Sequence, residues 1–192
     1  MRTVKTLPIP LFLLLFVLPV PVWGQGVFIT QHAVISYNQA SELVEMSHRL
    51  HFTPDEKVQE NPPLVPDPGQ AVVAPELAAK IDGLFNKVCK ILNQRPPKPQ
   101  RLRLVLLPDS KQVQQRRLAC QPALQGQAIF GYHWLPAFYE APTHTIFLSL
   151  ADLRNGIMVH EMTHFVLCEA FAVPPPPELQ EQWAQYVEIS CE

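Results

Sequence analysis

His160-Glu161-Met162-Thr163-His164 brings three residues capable of hydrolytic chemistry together at a spacing that suits a helix. Residues four apart lie one above the other on an α-helix, so His160 and His164 present both imidazoles to one ion. Glu161 follows the first histidine and points beside that ion. From there its carboxylate can take a proton from water that the metal acidifies. The competing reading is a solvated His/Glu helix face that binds nothing, and the surroundings count against it. Leu153, Gly156, Ile157, His160, His164 and Leu167 recur at helical spacing after Asp152, which stands where a helix cap belongs. The histidines therefore sit on or beside a buried stripe. Each neutral ring there needs a polar partner, which a shared metal supplies.

A catalytic zinc centre takes three protein ligands and keeps one position open. The pattern H-E-x-x-H-x-x-G-x-x-H is absent, because Leu167 and Ala170 stand where it needs Gly and His. Glu169, five residues past His164, is turned roughly 140° away from it on the same helix. Pro174 to Pro177 forbid continuation of that helix beyond about Ala170, and a second one is expected from Glu178, with Pro177 in its first turn. Leu179, Trp183, Tyr186 and Val187 would form its apolar side. Glu178 and Glu181, one turn apart, are the two candidates for the third ligand.

The stretch from Asp152 to Glu188 resembles the gluzincin zinc metallopeptidases, the thermolysin-like clan, and most of all its short peptidase MA-like members. Their second helix reads W-L-x-E-G-x-A-x-Y, and Leu179, Glu181, Ala184 and Tyr186 stand in the matching places. Glu178 replaces the usual Trp and Gln182 the usual Gly. The resemblance implies a zincin-like fold in which His160, His164 and Glu181 hold Zn²⁺ and Glu161 is the general base. It also implies that Gln185, four residues after the ligand Glu, orients a ligand histidine where relatives use Asp. Peptides or proteins would be the substrates.

The elements ahead of the motif suit an α+β domain with helices packed on a small twisted β-sheet. Val27 to Tyr37 alternates like a strand, Pro54 to Pro75 reads as an irregular loop, and Ala71 to Leu92 carries a helical apolar stripe. Arg101 to Leu107 is an expected strand and Ser110 to Cys120 an expected helix. Phe138-Tyr139 and Thr145 to Leu150 form two strands around a turn, leading into the His160 helix. An edge strand near this place could pair with an extended substrate backbone.

Arg2 and Lys5, the apolar run Leu11 to Leu18, and Val22-Trp23-Gly24 make residues 1–24 an expected signal peptide. Residues 25–192 are then a single exported domain, periplasmic or secreted. The apolar run is too short for a comfortable membrane span. Loss of Arg2 and Lys5 takes the formal charge from −2 to −4, since the leader holds no acids. No basic stripe remains to recruit nucleic acid or anionic lipid. Cys89, Cys120, Cys168 and Cys191 allow three disulfide connectivities. Cys168–Cys191 is disfavoured, because antiparallel C-terminal helices would carry the two in opposite directions. His32, His48, His51, His133 and His144 read as structural or surface residues, with His133, His144 and Tyr186 held open as oxyanion partners. Two other classes remain at this stage. One is a zinc-containing envelope protein that binds peptides or partners without cutting them, and the other a fold whose histidine pair binds nothing.

Overall fold

A computed structural model describes residues 26–51, 74–98, 100–121 and 135–191. The leader (1–24), most of the Pro-rich stretch and His133 lie outside these residues.

The described residues form an α+β fold, with a five-stranded mixed sheet and five α-helices among them. In chain order the elements are β1 (Gly26–Ile29), β2 (Ala33–Tyr37), α1 (Ala40–Arg49), α2 (Ala74–Ile91), β3 (Leu102–Leu107) and α3 (Ser110–Cys120). They continue with β4 (Ala137–Glu140), β5 (Thr145–Ser149), α4 (Asn155–Ala170) and α5 (Pro177–Cys191). The strands lie in the order β1-β2-β3-β5-β4. The two central pairings, β2–β3 and β3–β5, are parallel, and the flanking pairs β1–β2 and β4–β5 are antiparallel.

Alternation along the strands sorts the two faces of the sheet. Leu102, Leu104 and Leu106 of β3, with Ile146 and Leu148 of β5, enter the main core beneath α1, α2, α4 and α5. On the opposite face Leu107, Phe138 and Phe147 meet Val113 of α3 in a smaller cluster. Asp109 caps α3 by accepting from the Gln112 N–H at 2.9 Å.

The expected strand from Val27 to Tyr37 is two strands, split by a tight turn. Asp82 of α2 is the cause: its carboxylate accepts from the Thr30 hydroxyl at 2.7 Å and from the Gln31 and His32 N–H groups, both at 3.0 Å. A buried carboxylate needs such donors, and the chain folds back to supply them. α1 is an element the hydrophobic pattern above does not mark. Its buried residues are Leu43, Met46 and Ser47.

α4 is buried almost all round, with Ile157, Met158, Val159, Met162, Phe165, Val166 and Leu167 in the core. Each such side chain contributes about 1.5–3 kcal/mol when fully buried. The helix packs on α5, α2 and β4, which makes it a rigid carrier for polar groups at its edge. It starts at Asn155, and Asp152 is not its cap. The Asp152 carboxylate accepts from the Ser149 hydroxyl instead. The helix start is tied from outside: Asn155 Oδ1 accepts from the His51 N–H at 3.0 Å, and Arg49 Nη1 donates to the Ala151 carbonyl at 2.7 Å.

α5 keeps Val187 of the expected apolar side in the core and is rotated so that the other three turn outward. Ala184, Val187 and Cys191 face the core, while Leu179, Trp183 and Tyr186 are substantially exposed. The small Ala184 lets the helix approach α4 closely, and this rotation turns Glu181 and Glu188 towards the histidines. All four cysteines are free thiols.

Candidate metal centre

His160, His164 and Glu181 converge. Their potential ligand atoms all lie within 4.8 Å of one another. His160 Nε2 is 3.4 Å from Glu181 Oε2, and His164 Nε2 is 3.5 Å from Glu181 Oε1. Tetrahedral ligands held at about 2.0–2.1 Å from one ion are separated by about 3.3–3.4 Å, close to the two carboxylate–imidazole distances here. Among the described residues no other group of three His, Cys, Asp or Glu side chains gathers in this way. Of the two candidate acids, Glu181 faces the rings, whereas Glu178 is exposed outside the cluster.

The chemistry of the donor set also calls for a cation. The Gln180 amide nitrogen donates to the Pro175 carbonyl at 2.7 Å, which turns its oxygen towards His164 Nδ1 at 3.3 Å. That network assigns the proton of a neutral His164 to Nδ1 and leaves a lone pair on Nε2. Burial, helped by the neighbouring His160, lowers the pKa of His164, against the opposing pull of Glu181 and Gln180. A lone pair and a carboxylate therefore face each other with no proton between them. A bound cation relieves that opposition.

His160 is held in a similar way. Its Nδ1 lies 3.3 Å from Glu188 Oε2. Gln185, the expected orienting residue, is exposed. The side chains on the two ring Nδ1 atoms are Glu188 and Gln180, and neither is marked by the motif. A periodicity signal for Glu188 existed: it is seven residues, or two turns, beyond Glu181 and so on the same helix face.

Glu161 lies beside the cluster and outside the set of ligand atoms. Burial pushes its carboxyl up to about 8, aided by the Glu181 carboxylate, while a hydrogen bond from the Tyr139 backbone N–H pulls it down. Tyr139 belongs to β4, the edge strand, so the sheet edge runs next to the acid. The folded pKa lies above the ordinary 4.5, so the folded state holds the Glu161 proton more tightly than the unfolded chain does. This stabilisation is complete below about pH 4.5 and is lost as the pH rises to about 8. His164, shifted down from 6.5, acts in the opposite direction and only below that value. Metal-free wild type should therefore lose stability between pH 6.5 and 8 relative to Glu161→Gln. Urea unfolding midpoints of the two proteins across this range are the check, and parallel profiles would contradict the Glu161 shift.

The remaining candidates sit elsewhere. His144 adopts a left-handed backbone (φ 52°) at the β4–β5 turn, and its Nδ1 lies 3.0 Å from Glu169 Oε1. Glu169 is thereby committed away from the metal cluster. Tyr186 is exposed and stacks edge-on against Trp183, with ring centroids 6.1 Å apart. His48 and His51 are exposed, and His32 stacks on Phe85.

Compared with protein-family models, with curated proteins and with solved structures, the chain gives no match in any of the three.

Proposed function

We propose that this chain is a zinc-dependent metallopeptidase of gluzincin type, built on a zincin-like fold. The observation that carries the proposal is the convergence of His160 Nε2, His164 Nε2 and the Glu181 carboxylate beside Glu161. His160, His164 and Glu181 would hold Zn²⁺. When bound, the ion would polarise the scissile carbonyl and acidify water at its open position. Glu181 is half-exposed, so that position is within reach of solvent and substrate.

Glu161 acts as general base and then as acid. It takes the proton of the attacking water and returns it to the departing amine. Burial raises this carboxyl in the metal-free site, and a bound dication would pull it back down, leaving Glu161 ionised to take the proton. Glu188 and Gln180 keep both rings turned with Nε2 inward. β4 is the last strand of the sheet, and its outer main-chain groups other than the Tyr139 N–H would pair with an extended peptide, a mode that gives affinity with little side-chain selectivity.

Export is part of the same proposal and rests on the leader-like residues 1–24. No helix among the described residues is long and apolar enough to cross a membrane. A second reading, a zinc-containing envelope protein that binds partners without cutting them, draws on one observation. Phe171, Val173, Leu179, Trp183, Tyr186 and Ile189 leave an exposed apolar surface around α5.

The test is digestion of a mixed peptide library by zinc-loaded protein, followed by mass spectrometry. Cleavage that stops on chelation and returns with added Zn²⁺ is the expected result. An intact library at saturating zinc would instead leave the binding reading.

A further inference from the structure

We infer that Gly156 and Glu188 work as one device: the missing side chain of Gly156 opens a slot on α4 that seats the Glu188 carboxylate against His160. The inference rests on the metal reading above and adds two positioning residues to it. Gly156 stands in the first turn of α4, one turn ahead of His160 on the same helix face. A methyl group placed on it would lie 2.9 Å from Glu188 Oε1 and 3.1 Å from Glu188 Cγ, closer than packed atoms tolerate. The other carboxylate oxygen, Oε2, is 3.3 Å from His160 Nδ1. The carboxylate thus lies along one turn of α4, one oxygen over Gly156 and the other on the ring.

Space explains the glycine, because its backbone is ordinary helix and demands no special conformation. Glycine costs helix stability relative to alanine, so its use in a buried first turn calls for a compensating contact. The same turn is the positive end of the helix dipole, which favours a carboxylate lying against it. A carboxylate held on Nδ1 fixes the ring orientation and makes Nε2 a better donor to a metal.

The obstacle a Gly156 side chain would meet is the far end of a flexible glutamate. Alanine should therefore displace Glu188 into solvent and leave the helix intact. This separates metal binding from folding. Gly156→Ala and Glu188→Ala should each weaken Zn²⁺ binding about 10–100-fold, the usual effect of removing a partner behind a ligand histidine. The double variant should bind no more weakly than Glu188→Ala alone, since the glycine acts only through the glutamate. Metal-free Gly156→Ala should melt no lower than wild type.

The experiment is competition for Zn²⁺ against a chromophoric chelator, with thermal unfolding of the same four proteins free of metal. Additive losses in the double variant, unchanged affinity in either single variant, or a lowered melting point for Gly156→Ala would each overturn the device. The metal reading would then stand, provided that wild type binds zinc. Wild type that binds no zinc would overturn both.

Discussion

Replacing Glu161 by Gln is expected to leave zinc bound and the fold intact while cutting peptide hydrolysis by about 10²–10⁴-fold, the range for loss of a general acid–base group. Glutamine has nearly the same shape and its amide oxygen can still accept the Tyr139 backbone N–H. Glu161 is outside the group of converging ligand atoms, so its charge is not needed to hold the ion. In the metal-free protein the carboxyl is already pushed towards its neutral form, and a neutral amide therefore costs the fold little. What the variant cannot do is carry a proton. The measurement is the rate of library cleavage beside zinc content on the same sample. Cleavage near the wild-type rate would remove Glu161 from its role, and joint loss of zinc and cleavage would make it a ligand or a structural acid.

α4 was readable because one helix encodes its own periodicity. Apolar residues, both histidines and the proline stop all lie within a single local stretch. Its first residue was not, because Asp152 is drawn off by Ser149 and the helix start is tied to residues 49–51, over a hundred positions away in the chain. The single strand expected before Tyr37 is two for a comparable reason. Asp82, some fifty residues distant, gathers Thr30, Gln31 and His32 into a turn. Long-range polar contacts leave no local pattern. α1 is unmarked for another reason: its buried apolar residues Leu43 and Met46, with Leu50 just past its end, make too short a run, and the helix has no side-chain cap.

At the site, the motif marks His160, Glu161 and His164, and it is the fold that brings Glu181 rather than Glu178 to the two histidines, while the groups behind them needed three dimensions. Counting apolar residues on α5 favours Leu179, Trp183, Tyr186 and Val187 as the buried side, and of these only Val187 is buried. The helix turns otherwise, because Ala184 permits close contact with α4 and the ring nitrogens claim Gln180 and Glu188. Burial of large residues lost to satisfaction of polar ones. The exposed apolar surface left on α5 is the visible consequence.

Which acid completes the cluster decides the chemistry. Both Glu178 and Glu181 stand in the first two turns of α5, yet only Glu181 approaches both rings, at 3.4 Å and 3.5 Å. Its removal would leave two histidines, and two ligands rarely hold zinc against solvent in a site that normally takes three. Glu178 is exposed and outside the cluster, so its removal should change nothing at the metal. Elemental analysis of zinc per chain, on Glu181→Ala and Glu178→Ala purified alongside wild type, reads this difference directly. About one Zn²⁺ per chain is expected in wild type and Glu178→Ala, with near-complete loss in Glu181→Ala. Full zinc in Glu181→Ala, or none in wild type, would contradict a metal centre formed by His160, His164 and Glu181.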